Sequence, residues 1–114
     1  MPKENHTSLI NADHKLIFTL NGQVHTLLGR NAQIARALIN AHHEPVRPHD
    51  LMLAMGLQPP PISNHNTPER LTLYQHINQL RKRFPTLLYS LNTGRGWRTN
   101  RDQHPKIVFD SHGA

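Results

Sequence analysis

The feature that most limits the fold is an amphipathic segment, "TPERLTLYQHINQLRKRFP", which lies between two prolines. Thr67 and Pro68 form a strong helix start, because threonine can cap the first turn and proline suits the first helical position. Pro85 predicts an end at about Phe84, because the residue before a proline avoids the helical conformation. The segment therefore predicts one long helix.

This helix is expected to have one apolar face and one polar face. At a spacing of three to four residues we assign Tyr74, Ile77, Leu80, Arg81 and Phe84 to one face, with Leu73 at its edge, and we expect the apolar members to pack inward. The outward face carries amides and cations but no carboxylate: Thr72, Gln75, His76, Asn78, Gln79, Lys82 and Arg83. Such side chains can hydrogen-bond bases and phosphates in the DNA major groove. Taken alone, the face also fits a solvated helix whose cations serve only solubility.

The distribution of charge favours contact with DNA over a merely solvated helix. The chain has 114 residues and a net charge of +6. Seven basic residues and no acidic residue occur from Arg70 to Arg101, while the remainder of the chain sums to −1. A localised positive field indicates a polyanionic partner, most commonly nucleic acid.

A glycine-rich turn follows the long helix. "TLLYSL", "NTGRG" and "WRTN" predict a strand, a tip and a returning strand. Gly94 and Gly96 flank Arg95, with Trp97 returning to the core and Arg98 beside it. A glycine-flanked arginine can enter the minor groove or lie along the phosphates. A tight turn with an incidental arginine is the alternative.

The preceding elements are predicted from local signals. Residues 15–20 and 23–28 read as strands around Asn21-Gly22, a strong hairpin turn. "RNAQIARALINAHHE" then changes to helical spacing, with Asn31 as the expected cap and Glu44 as its end before a proline. Its expected apolar face consists of Ala32, Ala35, Leu38, Ile39 and His42, with Ile34 at the border.

A short helix is predicted next, with Pro48 in its first turn and Gly56 at its end. Its apolar face is expected to contain Leu51, Met52 and Met55. Three consecutive prolines in "LQPPPISNHN" then exclude regular structure and predict a semi-rigid extended loop.

These elements define one α+β domain in which three helices lie between two hairpins. We assign residues 1–13 to a flexible arm, 14–101 to the domain and 102–114 to a tail, whose "KIVF" could add a strand or dock as a segment. The expected core contains Ile17, Leu27, Ala35, Leu38, Ile39, Leu51, Ile77, Leu80, Leu88 and Trp97.

Composition and motifs argue against several other classes. The chain lacks cysteine, and the cluster of His42, His43 and His49 matches no strong metal-binding pattern, so we expect no metal and no cofactor. No nucleophile or phosphate-cradle motif occurs, so an enzyme is not expected. No apolar run approaches the roughly 20 residues of a membrane span, and no secretion signal is visible. We therefore expect no membrane partner and a cytoplasmic protein.

The segments "DLMLAMG", "LTLYQHINQLRKRF" and "TLLYSLNTGRGWRTN" resemble the winged helix-turn-helix DNA-binding domain of OmpR/PhoB-type response regulators. The resemblance covers about residues 15–100, and its specific part spans residues 74–98. The residues that match the family's helix and wing motifs are His76, Ile77, Leu80, Arg81 and Lys82, followed by Gly94, Gly96, Trp97 and Arg98.

The resemblance implies a bacterial or phage regulator of transcription that binds double-stranded DNA. The long helix would enter the major groove and the second hairpin would form a wing at the minor groove. By position, Asn78 and Gln79 would read bases, while Arg81, Lys82 and Arg83 would mainly hold phosphates. One departure is that the wing arginine, Arg95, lies between the glycines, where the family more often has one before the first glycine.

The family also implies contact with RNA polymerase through the loop before the recognition helix, here the proline-rich loop between Leu57 and Asn66. A lone domain makes few base contacts, so we expect a weak homodimer or cooperative pairing on DNA. No receiver domain is visible in the sequence, so we see no domain through which phosphorylation would control the protein.

Two alternative functions remain at this point. A winged helix of a phage or mobile element could instead act as an adaptor that binds an acidic partner protein. Binding of single-stranded nucleic acid or RNA is a third interpretation, which the small number of aromatic residues disfavours. We also hypothesise that His76, on the basic face, makes DNA binding sensitive to pH.

Overall fold

The computed structural model describes residues 14–58, 67–91 and 95–112. The strands are β1 (His14–Leu20), β2 (Gln23–Leu28), β3 (Leu88–Ser90), β4 (Trp97–Thr99) and β5 (Lys106–His112). The helices are α1 (Gly29–Asn40), α2 (Pro48–Ala54) and α3 (Pro68–Arg83). The chain is therefore α+β with three helices in its described part, as the sequence predicts.

The first hairpin forms as expected. Strands β1 and β2 pair antiparallel, with Leu20 opposite Gln23, so the turn consists of Asn21 and Gly22. Both turn residues have positive φ, 53° and 80° respectively. Asparagine and glycine are the residues that adopt such angles most readily, which explains why this dipeptide closes the hairpin.

Strand β5 gives the hairpin a third strand. It pairs antiparallel with β1, so the sheet order is β2-β1-β5. Ile17 lies opposite Phe109 and Phe18 opposite Ile107, which leaves Val108 as a bulge. The residues around "KIVF" thus form an added strand, and an ion pair of 3.9 Å between Arg36 and Asp110 joins this strand to α1.

The core lies between the three-stranded sheet and the helices. Nine of the ten expected core residues are buried: Leu27, Ala35, Leu38, Ile39, Leu51, Ile77, Leu80, Leu88 and Trp97. Ile17 is the exception, because β1 turns Leu16, Phe18 and Leu20 inward and Ile17 to the outer face of the sheet. Successive side chains of a strand point to opposite faces, so the expectation for Ile17 was wrong by one residue of register.

The limits of α1 differ from the expectation. The helix begins at Gly29 after Leu28, which makes no side-chain cap, so Asn31 lies inside the first turn and is not the cap. The helix ends at Asn40 instead of Glu44. His42 is therefore outside the helix and exposed, contrary to its assignment to the apolar face. His42 and His43 have positive φ, which ends the helical path.

The limits of α2 and α3 follow their local signals. Pro48 is the first residue of α2, and Gly56 follows that helix with a φ of 81°. The Thr67 hydroxyl accepts a hydrogen bond of 3.3 Å from the Arg70 backbone N–H, so it caps α3. Such caps stabilise a helix by about 1 kcal/mol.

The buried face of α3 is rotated slightly from the expected one. Leu73, expected at the edge of the apolar face, is fully buried. Together with Ile77, Leu80 and Phe84 it forms the buried face of the helix. Tyr74, expected to pack inward, is 37% exposed. The correction matters for the site, because it determines which polar residues of α3 face solvent.

Candidate nucleic-acid interface

The ten residues predicted to contact DNA differ in exposure. Exposed side chains are those of Gln75, Asn78, Gln79, Lys82, Arg83 and Arg95. Half-buried side chains are those of Thr72, His76, Arg81 and Arg98. The rotation of α3 toward Leu73 thus leaves an amide-rich and basic face on solvent, with Thr72 and His76 at its margins.

Two of the half-buried side chains, Thr72 and His76, form hydrogen bonds within the protein itself. The Thr72 hydroxyl donates a hydrogen bond of 2.9 Å to the Pro68 carbonyl, within the first turns of α3. His76 turns toward α1, where its Nδ1 lies 2.8 Å from the Asn31 Oδ1. The expectation that His76 lies on the outward basic face is therefore wrong: it belongs to the contact between two helices.

The position of His76 changes its acid–base behaviour. Loss of solvation on burial lowers the pKa of His76 below its ordinary value, and the positive charge of Arg30 lowers this pKa further. A hydrogen bond with Gln79 opposes both effects. His76 therefore gains its charge at a lower pH than a free histidine, which moves the hypothesised pH response of DNA binding to more acidic conditions.

Asn78 and Lys82 are two of the most available residues of this face. Neither side chain has a hydrogen-bond or ionic partner within residues 14–58, 67–91 and 95–112. Both side chains point away from the buried face of α3 into solvent. Their donors can thus reach an external acceptor without first breaking a contact to a described residue.

Arg83 is less available, because it links α3 to the first hairpin. Its Nη2 donates a weak hydrogen bond of 3.4 Å to the Thr26 carbonyl of β2. Its guanidinium lies 5.1 Å from the centre of the Phe84 ring, within the range of a cation–π contact. The guanidinium is exposed but held at the end of the helix, a position suited to a phosphate rather than to a base.

The second hairpin is attached to the helices through the segment before α2. Strands β3 and β4 pair antiparallel, and Val46 adds an isolated bridge on the other side of β4. The Val46 N–H donates to the Trp97 carbonyl at 2.8 Å, and the Trp97 N–H donates to the Val46 carbonyl at 3.1 Å. The Trp97 ring also meets Tyr74 edge to face, with centres 5.9 Å apart. These contacts set the hairpin against α3.

Gly96 is required for this attachment. Its φ is 92°, and a Cβ atom at this position would lie 1.9 Å from the Val46 carbonyl oxygen. No other residue would fit without displacing the Val46–Trp97 bridge. The two glycines of "GRG" were predicted only to shape an exposed tip, and for Gly96 the reason is close packing.

The two arginines of the hairpin have different surroundings. Arg95 is exposed, next to the tip. The guanidinium of Arg98 lies 4.4 Å from the centre of the Tyr89 ring and donates a hydrogen bond of 3.2 Å to the Thr99 carbonyl. Arg98 therefore stabilises the hairpin, and Arg95 is the better candidate for an external anion. Residues 92–94 of the tip, including Gly94, lie outside the described residues.

Few acidic groups balance these cations. The ion pair between Arg36 and Asp110 is the only one within the described parts of the chain, and it lies at β5, not on α3. The face formed by Gln75, Asn78, Gln79, Lys82 and Arg95 consequently retains its positive potential. An anionic partner would therefore be attracted by these cations, and the attraction would weaken as salt is added.

The histidines do not gather on this face. His43 meets His104 edge to face, with ring centres 5.6 Å apart, and its Nδ1 hydrogen-bonds the Thr99 hydroxyl at 2.8 Å. His42 joins them at the rim of an open cavity of about 460 Å³. No group of three or more histidine and acidic side chains suited to a metal ion occurs among the described residues.

Asn31 and Arg30 are the residues of the site that sequence reasoning missed. Both lie in the first turn of α1 and approach α3 at His76. Reading Asn31 as a helix cap concealed its tertiary role. No local pattern would have indicated this contact, because it joins segments 45 residues apart.

Comparison of the chain with protein-family models, with curated proteins and with solved structures found no match. The resemblance to OmpR/PhoB-type domains therefore rests on the quoted motifs and stays a prediction. Among the described residues, none of the helices combines the length and apolar character that a membrane crossing requires.

Proposed function

We propose that this chain is a winged-helix regulator of transcription that binds double-stranded DNA in a sequence-specific manner. Helix α3 would lie in the major groove, and the β3–β4 hairpin would act as the wing at the minor groove. The observation that carries the proposal is the solvent-facing surface of α3 from Thr72 to Arg83. This surface is rich in amides and cations and free of carboxylates, and Tyr74 of the same helix meets Trp97 of the hairpin that bears Arg95.

The chemistry of this surface suits a duplex. Gln75, Asn78 and Gln79 present amide groups that can hydrogen-bond base edges. Lys82 and Arg83, at the C-terminal end of α3, and Arg95 on the hairpin supply cations for phosphates on either side of the groove. The bridge between Val46 and Trp97 supports the proposal, because it holds the wing to the segment before α2, and the contact of Trp97 with Tyr74 brings the wing to α3.

The domain would act in pairs on DNA. One helix of 16 residues reaches only a few base pairs, so two copies on adjacent half-sites would supply the remaining specificity. Half-sites about 10 base pairs apart would place the two copies on the same side of the duplex. Contact with RNA polymerase through residues 57–66 stays a prediction, since most of that loop lies outside the described residues.

An acidic partner protein is the second candidate. The observation that favours a protein partner is the apolar outer face of the three-stranded sheet, where Val24, Leu28, Val108 and Phe109 are between 48% and 65% exposed. In that case the basic surface would provide orientation and the sheet would provide contact area. Binding would then resist salt better than a contact made mainly with phosphates.

A charge-reversal experiment tests the proposal. The double variant Lys82→Glu and Arg95→Glu should abolish retention of duplex DNA, because both cations lie on the proposed surface. The matched variant Lys15→Glu and Lys106→Glu makes the same change of charge on exposed residues of the sheet and should retain DNA. Equal loss in both variants would show only an effect of net charge and would contradict the proposed site.

A further inference from the structure

We infer that Asn31 is a positioning residue that determines which end of the Gln79 amide faces a base, and that Gln79 therefore donates to guanine instead of reading adenine with both ends. The inference rests on the proposed function and names a specificity determinant that lies on α1, outside the proposed recognition helix. Three polar side chains form a hydrogen-bonded chain between α1 and α3.

The three side chains are His76, Asn31 and Gln79. The Asn31 Nδ2 donates a hydrogen bond of 3.1 Å to the Gln79 Oε1. The Asn31 Oδ1 lies 2.8 Å from the His76 Nδ1. One asparagine on α1 therefore contacts two residues that are three positions apart on α3, and so lie on the same side of that helix.

The two hydrogen bonds assign one direction of donation along the chain, and the reversed amides would require the His76 Nδ1 to accept instead. Because the Asn31 amide nitrogen donates to Gln79, the Asn31 oxygen faces His76. An oxygen can only accept, so the His76 Nδ1 carries the hydrogen and donates. The neutral imidazole with hydrogen on Nδ1 meets this requirement, and so does the protonated form. Protonation of His76 would thus leave the orientation of Gln79 unchanged.

This arrangement turns the two ends of the Gln79 amide in different directions. The Oε1 is turned toward α1, and the Nε2 is the end that remains for an external partner. Bidentate reading of adenine requires both ends to face the same base, with Oε1 accepting from N6 and Nε2 donating to N7. The contact to Asn31 opposes that orientation. The sequence-based assignment of Gln79 as a base reader stays a prediction, but its expected base changes.

Guanine is the base that suits a donor alone. It presents two adjacent acceptors, N7 and O6, in the major groove. Adenine offers N7 beside an N6 amino group, whose hydrogens would face those of Nε2. Thymine offers the O4 acceptor beside a methyl group, and cytosine offers a donor. Guanine therefore gives the donating end of Gln79 the most favourable edge.

Selection from random duplexes tests the inference through a change of base preference. The wild type should enrich guanine at the base pair that loses its preference in Gln79→Ala. Asn31→Ala removes the Asn31 contact to the Gln79 oxygen and leaves, among the described residues, only the hydrogen bond of Gln79 with His76, so that position should shift from guanine toward adenine, by about fivefold or more if the contact is a good one. Asn40→Ala, on the exposed end of the same helix, is the matched control and should leave the preference unchanged.

A second variant tests the direction in which the hydrogen bonds are donated along this chain. The carboxylate introduced by Asn31→Asp can only accept, so it should draw the Gln79 Nε2 toward α1 and leave the Oε1 facing the groove. The preferred base should then become one that presents an amino donor, cytosine or adenine. An acidic residue in the first turn of a helix is compatible with folding. Thermal unfolding midpoints measured alongside separate a change of preference from loss of the fold.

The outcomes separate the proposed function from this inference. A wild type that retains no duplex DNA would overturn the proposed function and this inference with it. A wild type that binds and enriches adenine at the Gln79 position would overturn the inference alone. The inference alone would also fall if Asn31→Ala and Asn31→Asp both folded and kept the guanine preference.

Discussion

The two hairpins of this protein are built by different means. The β1–β2 turn is closed by Asn21 and Gly22, whose own backbone angles suit the turn, and the Asn21 side chain also donates a hydrogen bond of 3.2 Å to Gln103. The β3–β4 hairpin depends on Gly96 and on a bridge to Val46, about 50 residues away in the chain. The first hairpin belongs to a sheet with an apolar outer face, and the second carries Arg95 beside α3. This difference suggests that the first hairpin is scaffold and that the second is placed for contact.

The largest expected effect comes from exchanging the two turn glycines for alanine. Gly96→Ala should lower the free energy of unfolding by about 3–4 kcal/mol, through a positive φ and loss of the bridge. Gly22→Ala should cost only about 1 kcal/mol, because its Cβ would meet no atom within 4 Å. Urea unfolding measures both. Equal costs would show that the second hairpin does not depend on Val46.

The next effect concerns the helix that would read the sequence. Asn78→Ala should reduce discrimination at one base pair by about 1–3 kcal/mol, because its amide is exposed and has no partner among the described residues. Competition binding with single-base variants of the selected site measures this loss. A uniform loss across all sequences would instead assign Asn78 to the phosphates.

Lys82 and Arg95 should show the opposite behaviour. Lys82→Ala or Arg95→Ala should weaken binding to all sequences and reduce the slope of log K against log salt by about 0.9, the value for one phosphate. Lys15→Ala, on the first hairpin, is the control and should leave the slope unchanged. If Lys82→Ala altered base preference while Gln79→Ala did not, the assignment of roles along α3 would be reversed.

The smallest effect is a dependence of stability on pH. The pKa of His76 is lowered in the folded state, so below about pH 6.5 the unfolded chain binds more protons than the folded chain. Stability should therefore fall as the pH drops through this region. His76→Gln should remove that part of the decrease, as measured by unfolding at several pH values. An identical pH profile in both proteins would contradict the burial of His76 against Arg30.

Local signals account for most of the predicted elements. Thr67 and Pro68 start α3, and Gly56 follows α2, because caps and special backbone angles act within a few residues. The α+β class and the three helices follow from such signals. The acid-free polar face of α3 could also be predicted, since helical spacing alone places Asn78 and Lys82 away from Leu80.

The contacts between distant segments could not be predicted in this way. Ile17 was misplaced because one residue of register exchanges the two faces of a strand. The roles of Asn31 and Gly96 depend on His76 and Val46, which only the fold brings near. The site is therefore predictable in its composition, but the orientation of its side chains requires the tertiary structure.

The most direct test of the account is binding to random-sequence duplex DNA, measured by mobility shift at about 50 and about 200 mM salt and followed by selection of the bound pool. We expect a steep loss of affinity at the higher salt and enrichment of a motif with half-sites about 10 base pairs apart. Weak binding that changes little with salt and enriches no motif would contradict the account and favour a protein partner.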